Sequence, residues 1–289
     1  MTEQDLEIIT IAKEVERKGF SFVTKRYKYS HRELLSILYT ASTFSMINKK
    51  QRQTFLTLVE QELFKIKLKD EKLGVIADTH IGHENQNLEY IKRAYDSFAR
   101  RGITNVLHVG DLLEGYSNYL YENQKQNRCR KELEILKQEY PKGFTNYISF
   151  GNHEEQFELV GIDLYNALPK YRKDFVPLGT GYGYVLWRKK RIALKHKTRI
   201  YKKPIYLYNC DLYLEGHSHF YNCQSKHNLL KVPTCSNVHP NQREKEKYEP
   251  GFLILERKEE EIVSSRYIFE NNIPKLILKK TLEKKTTDE

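Results

Sequence analysis

Four short polar motifs carry the side chains of this sequence that are best suited to chemistry. They are Asp78-Thr79-His80, Gly110-Asp111, Gly151-Asn152-His153-Glu154 and Gly216-His217-Ser218-His219, and an isolated His196 lies between the third and the fourth. Carboxylate oxygens, an amide oxygen and imidazole nitrogens are ligands for hard and borderline divalent cations. The combination predicts a site for two metal ions, and the dominant use of such a site is to activate water against a phosphorus ester.

The residue types also indicate how two ions would be shared among the motifs. Asp111 has two carboxylate oxygens, and a carboxylate that bridges two metal ions brings them within about 4 Å of each other. Asn152 offers a neutral carbonyl ligand, while His217 and His219 can each serve a different ion. Two cations lower the pKa of a bridging water, by roughly 8 units in the best-known zinc case, so the chemistry needs no side-chain nucleophile.

Each polar motif directly follows a short apolar run of the kind that forms β-strands. The five runs are residues 73–77, 105–109, 147–150, 192–195 and 211–215. Helical patterns at residues 86–101 and 124–139 separate the first three runs, and this alternation predicts a largely parallel core. In such sheets, sites form beyond the carboxyl ends of the strands, where these motifs fall. A glycine precedes a ligand in three motifs, and we expect sharp backbone turns there.

At these motifs the chain resembles the calcineurin-like metallophosphoesterases. The family pattern is DxH, GD, GNH[D/E], a lone His and GHxH, and every element is present in this order. The resemblance covers residues 73–220, extends to about residue 265 and excludes the first 68 residues. It implies an α/β fold, namely an αββα sandwich of two packed mixed sheets, with an N-terminal helical extension.

The resemblance also implies roles for individual residues. One metal ion would be bound by Asp78, His80, Asp111 and His219, and the other by Asp111, Asn152, His196 and His217. His153 would contact the phosphate and donate a proton to the leaving group, so His153 and Asp111 are the predicted catalytic residues. The cofactors would be two divalent metal ions, with Mn²⁺ expected first and Fe, Zn or Ni as alternatives.

Two departures from the family pattern leave the subfamily open. Lys197 follows His196 where many members have glycine, and residues 112–115 differ from a commoner aspartate-rich form. Neither departure removes a ligand, but both leave the substrate undetermined.

A rival interpretation is a single structural zinc site. Its ligands would be Cys210, His217, His219 and Cys223. This spacing matches no familiar zinc-finger pattern, and the site would leave the other motifs unexplained.

Of the remaining histidines, we interpret His108 as structural, and His83 as exposed unless it touches the substrate.

The domain organisation predicted from these patterns has three parts. Residues 1–68 form a helical extension with three helices, residues 69–270 the metallophosphoesterase domain, and residues 271–289 a basic and polar tail that frays. The extension is either a small DNA-binding bundle or a helical addition packed on the main domain. We favour the second, because no basic cluster marks a recognition helix.

Charge points to a polyanionic substrate. The chain has a net charge of +11, and residues 187–203, which bracket His196, contain nine basic residues and no acidic one, interleaved with aromatic residues. Basic groups that follow phosphates, with aromatic rings for base stacking, are typical of nucleic-acid channels. The predicted substrate-binding residues are Arg188, Lys190, Arg191, Lys197 and Arg199. The alternative is a hairpin with solvated charges and buried tyrosines.

Three functions therefore compete. The first is a metal-dependent phosphodiesterase acting on nucleic acid, hence a nuclease. The second is a phosphatase or phosphodiesterase for nucleotides or phosphoproteins. The third is a non-catalytic scaffold subunit on the same fold, which has no chemical reason to keep all the ligands and His153.

The sequence also predicts a cytoplasmic protein without membrane contact, whose protein partners stay undefined. No apolar stretch approaches the roughly 18 residues of a membrane span, and the acidic N-terminus does not resemble a signal peptide. The four cysteines form no CxxC pattern, which indicates free and mostly buried thiols.

Overall fold

The computed structural model describes residues 2–116, 121–198, 209–238 and 248–282. By their internal contacts these residues divide into two compact units. The first contains residues 2–67, and the second contains the described residues from Leu68 onward, apart from Asn209.

The first unit is a bundle of four helices. They are α1 (Glu3–Lys18), α2 (Phe20–Tyr27), α3 (His31–Thr43) and α4 (Lys49–Leu63). Leu34, Leu38, Phe55 and Val59 are fully buried in its core. Two of the helix starts are capped by side chains: Ser30 and Glu33 form a capping box at α3, and the Asn48 side chain caps α4.

The prediction of three helices was wrong, because α2 is an additional short helix. Gly19, with a φ of 81°, ends α1 and separates it from α2. Only Val23 of the eight residues in α2 is buried, so this helix has no repeating apolar signal of its own.

The second unit contains thirteen strands, of which the first begins at the boundary residue Lys67. They are β1 (Lys67–Leu68), β2 (Lys72–Ile76), β3 (Asn105–His108), β4 (Thr145–Phe150), β5 (Phe175–Thr180), β6 (Tyr182–Trp187), β7 (Lys190–Lys195), β8 (Leu212–Glu215), β9 (Asn222–Gln224), β10 (Leu229–Lys231), β11 (Gly251–Lys258), β12 (Glu261–Glu270) and β13 (Ile273–Leu282). The helices described in this unit are α5 (Leu88–Ala99), α6 (Glu122–Glu139), α7 (Glu155–Leu159) and α8 (Leu164–Tyr171).

The strands form two mixed sheets, so the predicted α/β fold is confirmed. One sheet has the order β13-β12-β11-β2-β3-β4-β5, and the other has the order β1-β6-β7-β8-β10-β9. The five predicted strands correspond to β2, β3, β4, β7 and β8, and the two predicted helices to α5 and α6. Helices α5, α6 and α8 share one apolar core with strands of the seven-stranded sheet, through residues such as Phe98, Leu136, Leu168, Val106 and Ile148.

Fewer neighbouring strands are parallel than the alternation of strands and helices in the sequence predicts. Strands β2 to β5 are parallel neighbours, and so are β7, β8 and β10. Strands β11, β12 and β13 add to the edge of β2 in antiparallel order. Tight hairpins join β11 to β12 and β12 to β13 and make these pairs antiparallel, whereas a parallel neighbour needs a longer crossover.

Part of the predicted C-terminal tail is ordered. Residues Ile273–Leu282 form an edge strand paired antiparallel with β12, so the expectation of a fraying tail over residues 271–289 was wrong for this stretch. Most of these residues are exposed, so the backbone ladder to β12 holds the strand more than burial does. Lysines along it are typical of an exposed edge strand.

Two further expectations concern cysteines and membranes. All four cysteines are free thiols, and Cys129, Cys210 and Cys235 are buried, as predicted. Among the described helices, none has the length and apolarity that a membrane crossing requires.

Candidate metal centre

The seven-stranded sheet places the first three polar motifs side by side. Because β2, β3 and β4 are parallel neighbours, the segments that follow them leave the sheet at the same edge. The backbone pairing continues past the strands: Asp78 N donates to the Gly110 carbonyl at 3.0 Å, and His80 N donates to the Asp111 carbonyl at 3.0 Å. The backbones of the first and second motifs therefore stay hydrogen-bonded to each other beyond the ends of their strands.

The six-stranded sheet brings the remaining ligands to the same place. His196 follows β7 and His217 follows β8, and these two strands are parallel neighbours. The backbone N–H of His217 donates to Asp78 Oδ1 at 3.0 Å. His196 Nε2 lies 3.2 Å from Asp78 Oδ1 and 3.3 Å from Asp111 Oδ2. Segments from both sheets thus converge on the two carboxylates.

Six of the seven predicted metal ligands fall into two groups suited to a metal ion. One group is Asp78, His80 and His219, and the other is Asp111, His196 and His217. Within each group, one ligand atom from every residue lies within 4.8 Å of the others. The structure therefore assembles side chains that lie up to 141 positions apart in the sequence, between Asp78 and His219.

Asn152, the seventh predicted ligand, supplies the best test of whether this centre fits a metal ion. The residue is buried, and within the described part of the chain its Oδ1 atom has no hydrogen-bond partner. An unsatisfied buried polar atom costs about 1–3 kcal/mol. A cation coordinated by this oxygen would satisfy it, so the residues present fit a divalent metal ion.

The histidines are oriented in the way that metal-ligating histidines usually are. His80 Nδ1 lies 2.7 Å from Glu114 Oε2, His219 Nδ1 lies 2.9 Å from the Val238 carbonyl, and His196 Nδ1 lies 3.1 Å from the Lys197 carbonyl. These oxygens accept the Nδ1 proton and leave Nε2 as the nitrogen that faces the centre. Consistent with this, the Nε2 atoms of His80 and His219 are only 3.2 Å apart.

The backbone of the centre is strained. Five of the predicted ligands have left-handed φ angles, with values of 53° for Asp78, 47° for His80, 51° for Asp111, 73° for His217 and 60° for His219. Such conformations cost on the order of 1–3 kcal/mol each in non-glycine residues and cluster at functional sites. The conformations that direct these side chains to one point therefore lower the stability of the fold.

The glycines before the ligands serve two different purposes. Gly110 has a φ of 83°, which is the turn expected from the sequence. Gly151 does not have a positive φ, and its role is close approach: a Cβ atom there would lie 2.3 Å from Asp111 Oδ1 and 2.4 Å from His196 Nδ1.

Opposite charges balance within the centre. Burial would raise the pKa values of Asp78 and Asp111, but neighbouring histidines outweigh burial and lower both. Burial would lower the pKa of His196, but Asp111 and Asp78 raise it to about 10. Two buried carboxylates thus demand positive charge between them, and a metal ion would supply it in place of the protonated imidazole.

His153 belongs to neither of the two ligand groups, but it forms a third group of possible ligands with His80 and Glu114. Its Nε2 is 4.0 Å from Asp111 Oδ2, its Nδ1 donates to the Glu114 carbonyl at 2.7 Å, and its side chain is 21% exposed. Burial would lower its pKa, but Asp111 and Glu114 outweigh burial and raise it. The protonated imidazole therefore persists to higher pH than in an ordinary histidine, with Nε2–H available to a molecule bound at the centre.

Glu114 is a functional residue that the sequence reasoning missed. Besides its contact with His80, its Oε2 lies 3.5 Å from His153 Nδ1. The side chain thus positions a predicted metal ligand and the predicted acid together. The available signal is an acidic residue three positions after Asp111, within the segment that departs from the family pattern.

Glu154 is a second residue whose role was missed. Its buried carboxylate accepts hydrogen bonds from the backbone N–H groups of Gly151 at 2.7 Å, Leu113 at 2.9 Å and Asp111 at 3.1 Å. Burial and the nearby Asp111 raise its pKa to about 7. Glu154 therefore joins the second and third motifs as a structural clamp.

Most of the predicted substrate-binding residues are not brought to the centre. Arg188 forms the turn between β6 and β7, and Lys190 and Arg191 begin β7. His196 lies six residues after Lys190, which is about 20 Å along a strand. Lys197 is exposed directly after His196, and Arg199 lies outside the described residues.

The basic side chains at the start of this hairpin face acidic ones. Arg188 Nη1 lies 3.8 Å from Glu71, and Lys190 Nζ lies 3.8 Å from Asp211 and 3.6 Å from Glu260. Trp187 and Tyr184 are buried, so these rings are not available to nucleic-acid bases. For residues 182–195, the hairpin alternative describes the structure better than a nucleic-acid channel.

The rival zinc site is not formed. His217 and His219 belong to different ligand groups, and no group found among the described residues includes a cysteine.

His108 is structural, as expected: it is buried, and its Nε2 lies 3.1 Å from Thr79 Oγ1. The expectation that His83 is exposed was wrong: the residue is partly buried, and its Nδ1 accepts a hydrogen bond from the backbone N–H of Asn85 at 2.9 Å.

Comparison with known proteins gives one family and several similar structures. The calcineurin-like phosphoesterase family matches residues 71–221. No curated protein matches the chain.

Three solved structures illustrate the structural similarity. Vps29 from Chaetomium thermophilum is 15% identical with a TM-score of 0.46, covering 74% of this chain and 100% of that one. The phosphoesterase Yfce from E. coli is 16% identical with a TM-score of 0.43, covering 73% and 100%. A dimetal phosphatase from Danio rerio is 10% identical with a TM-score of 0.41, covering 74% and 98%.

Proposed function

The chain belongs to the calcineurin-like phosphoesterases, a family of metal-dependent enzymes, and from this membership we propose that it cleaves phosphodiester bonds of nucleic acid at a centre of two divalent metal ions. One observation carries the proposal. Ligands from four distant motifs form two adjacent groups, and the proton donor His153 lies next to the carboxylate of Asp111.

Each ligand group would hold one ion. Asp78, His80 and His219 would bind the first, and His196, His217 and Asn152 the second, with Asp111 shared between them. The ions would supply an acidified water and would neutralise charge on the phosphate. Oxygen and imidazole ligands without thiolate suit Mn²⁺, which we propose as the metal, with Fe, Zn or Ni as alternatives.

His153 would act as the general acid. The Glu114 carbonyl accepts its Nδ1 proton, so the proton to be donated is the one on Nε2, which faces the centre. Transfer of that proton to the leaving oxygen would be worth about 10²- to 10⁴-fold in rate. The contact of Glu114 with both His80 and His153 would keep the donor in a fixed position relative to the first ion.

Charge supports nucleic acid as the substrate. The chain has a net charge of +11, and Lys197 is exposed beside the ligand His196. A polyanion is attracted by such a surface, and the attraction weakens as salt rises.

A second candidate is a hydrolase of small phosphoesters such as nucleotides. The observation that favours it is that Arg188 and Lys190 lie far from the centre and face acidic residues. A nuclease would gain more from these charges if they lay along the path of the substrate.

A substrate panel with metal-reconstituted protein separates the candidates. After chelation, the protein would be loaded with Mn²⁺ and offered bis(p-nitrophenyl) phosphate, single- and double-stranded DNA, RNA, nucleotides and a phosphopeptide. We expect hydrolysis of the aryl diester and of a polynucleotide, both stopped by chelator. Turnover of nucleotides alone would favour the second candidate, and no turnover with Mn²⁺, Zn²⁺, Fe²⁺ or Ni²⁺ would favour the scaffold alternative.

A further inference from the structure

The first unit contains two helices joined in the manner of a helix–turn–helix. Helix α2 has eight residues, and only three residues, 28–30, separate it from α3. Lys28 ends α2 in the left-handed conformation, with a φ of 59° and a ψ of 18°. A turn of three or four residues between a short helix and a second helix is the signature of this motif.

A contact between aromatic rings indicates how the two helices cross. The ring of Phe20, the first residue of α2, stacks on the ring of His31, the first residue of α3, with centroids 4.7 Å apart. In an antiparallel pair, Phe20 would instead lie beside the middle of α3. The contact between the two starts therefore indicates a wide crossing angle, as in helix–turn–helix units.

The burial pattern leaves the start of α3 accessible. Val23 of α2 and Leu34 of α3 are fully buried, and Tyr27, Tyr29 and Ile37 pack against the same core. His31 and Glu33 in the first turn of α3 are exposed. The first turn of the second helix is the part that contacts base edges in DNA-binding units of this type.

Lysines and hydroxyl groups lie near that accessible end, together with the acidic Glu62. A groove beside the first turn of α3 is lined by Ser21, Thr24 and Lys25 of α2, together with Lys18, His31 and Glu62. Glu62 pairs with His31 at 3.1 Å, and Lys18 with Glu14 at 3.2 Å. Lys25 and Lys28 are exposed. Ammonium and hydroxyl groups are typical phosphate contacts in protein–DNA interfaces.

From this geometry we propose that the first unit binds double-stranded DNA. The sequence disfavours this alternative because α3 has no basic cluster, but the basic residues near its start, Lys25 and Lys28, lie in α2 and in the turn that follows it. Helix α3 enters the major groove, which admits an α-helix, while α2 crosses the backbone and Lys25 and Lys28 contact phosphates. Duplex DNA is the occupant that the positive charge favours over an apolar protein partner. The inference rests on the first unit alone and does not depend on the proposed hydrolase activity.

The test uses the full chain in EDTA, so that cleavage does not interfere. Binding to a fluorescein-labelled, mixed-sequence duplex of about three helical turns is measured by anisotropy over a range of salt concentrations. The test variant is Lys25→Gln with Lys28→Asn, because asparagine tolerates the left-handed conformation of residue 28. The matched control is Lys49→Gln with Lys50→Gln, which removes the same charge at the start of α4.

The control site is distant from the proposed DNA contact. The side chain of Glu62, near the end of α4, contacts His31, so the start of this 15-residue helix lies about 20 Å away. We expect the test variant to raise the Kd at least about tenfold and to lower the salt slope by about 2, in keeping with two lost phosphate contacts. The control should change the Kd less than about twofold.

Several outcomes would overturn the inference. They are no duplex binding, an equal loss of binding in both variants, and single-stranded DNA competing as well as duplex. Thermal unfolding checks that both variants fold. Hydrolysis of bis(p-nitrophenyl) phosphate with Mn²⁺ should be unchanged in both, because neither alters the metal centre. Absence of that hydrolysis in the parent protein would contradict the proposed function without affecting the DNA-binding result.

Discussion

The two ends of strand β7 have opposite environments. At its carboxyl end, His196 is buried between the carboxylates of Asp78 and Asp111. At its amino end, Arg188 and Lys190 face acidic residues near the surface. His196 lies only six positions after Lys190 in the sequence, yet six positions of an extended strand span about 20 Å. A charged residue that is near a ligand in the sequence is therefore far from the site when an extended strand separates the two residues.

The largest effect should come from the shared carboxylate at the buried end. We expect Asp111→Asn to lower turnover of bis(p-nitrophenyl) phosphate at least about a thousandfold, because each tenfold corresponds to 1.36 kcal/mol and metal ions contribute several kcal/mol. Metal content measured by mass spectrometry after dialysis should also fall. The control is Asp211→Asn near the other end of β7, which should retain both properties. A fully active Asp111→Asn protein would contradict the proposed centre.

The next effect concerns the proton donor and depends on the leaving group. We expect His153→Ala to retain bound metal and to lower kcat on a DNA diester about 10²- to 10⁴-fold. With bis(p-nitrophenyl) phosphate the loss should be much smaller, because nitrophenolate leaves without a proton. Steady-state kinetics on both substrates provide the measurement, and equal losses would exclude His153 as the acid.

The pH profile offers a second readout for His153. Its pKa is raised, and only the protonated imidazole can donate, so turnover of the DNA diester should decline as pH rises through that pKa. The decline should be absent in His153→Ala. If the variant retains the same alkaline decline, another group is responsible for it.

An intermediate effect is expected for Glu114, which contacts His80 and His153. Glu114→Gln should weaken metal binding or activity about 10- to 100-fold, as loss of a partner to a ligating histidine usually does. Metal titration and kcat on the DNA diester measure the two contributions. Since Glu114 acts partly through His153, adding this change to His153→Ala should cost less than the two separate losses combined. Full additivity would show that the two residues act independently.

The smallest effect compares the two ends of β7 directly. Lys197→Gln should raise KM for a polynucleotide several-fold and weaken its salt dependence, while Lys190→Gln should leave KM unchanged. The lost pairing of Lys190 should cost at most about 1 kcal/mol of stability, because such surface ion pairs contribute little. Larger effects from Lys190 than from Lys197 would place the substrate along the hairpin after all.

The strand pattern was sufficient to predict how the ligands converge. Runs such as residues 73–77 and 105–109 end at polar residues, and parallel strands deliver their carboxyl ends to one edge. The contacts of Glu114 and Glu154 were not predictable in this way. They join residues up to 43 positions apart, and nothing in a single sequence records which carboxylate reaches which N–H group.

The prediction from sequence also missed elements that are defined by backbone hydrogen bonds and turns rather than by a pattern of side chains. Strand β13 is mostly exposed and is held by its pairing with β12, so its apolar residues gave no clear alternating signal. Helix α2 is defined by the break at Gly19 and the turn at Lys28, and its residues add little to the core. The left-handed conformation of five ligands is likewise set by the surrounding loops.

The tight approach around Gly151 has a consequence for mutation. A single methyl group at this position would collide with atoms of both Asp111 and His196, so an alanine there must push apart two side chains of the centre. A protein carrying that change would keep every coordinating residue in its sequence and still lose the geometry. A search of sequences for the ligand residues alone would then classify such a protein as able to bind the metal ions, although it could not.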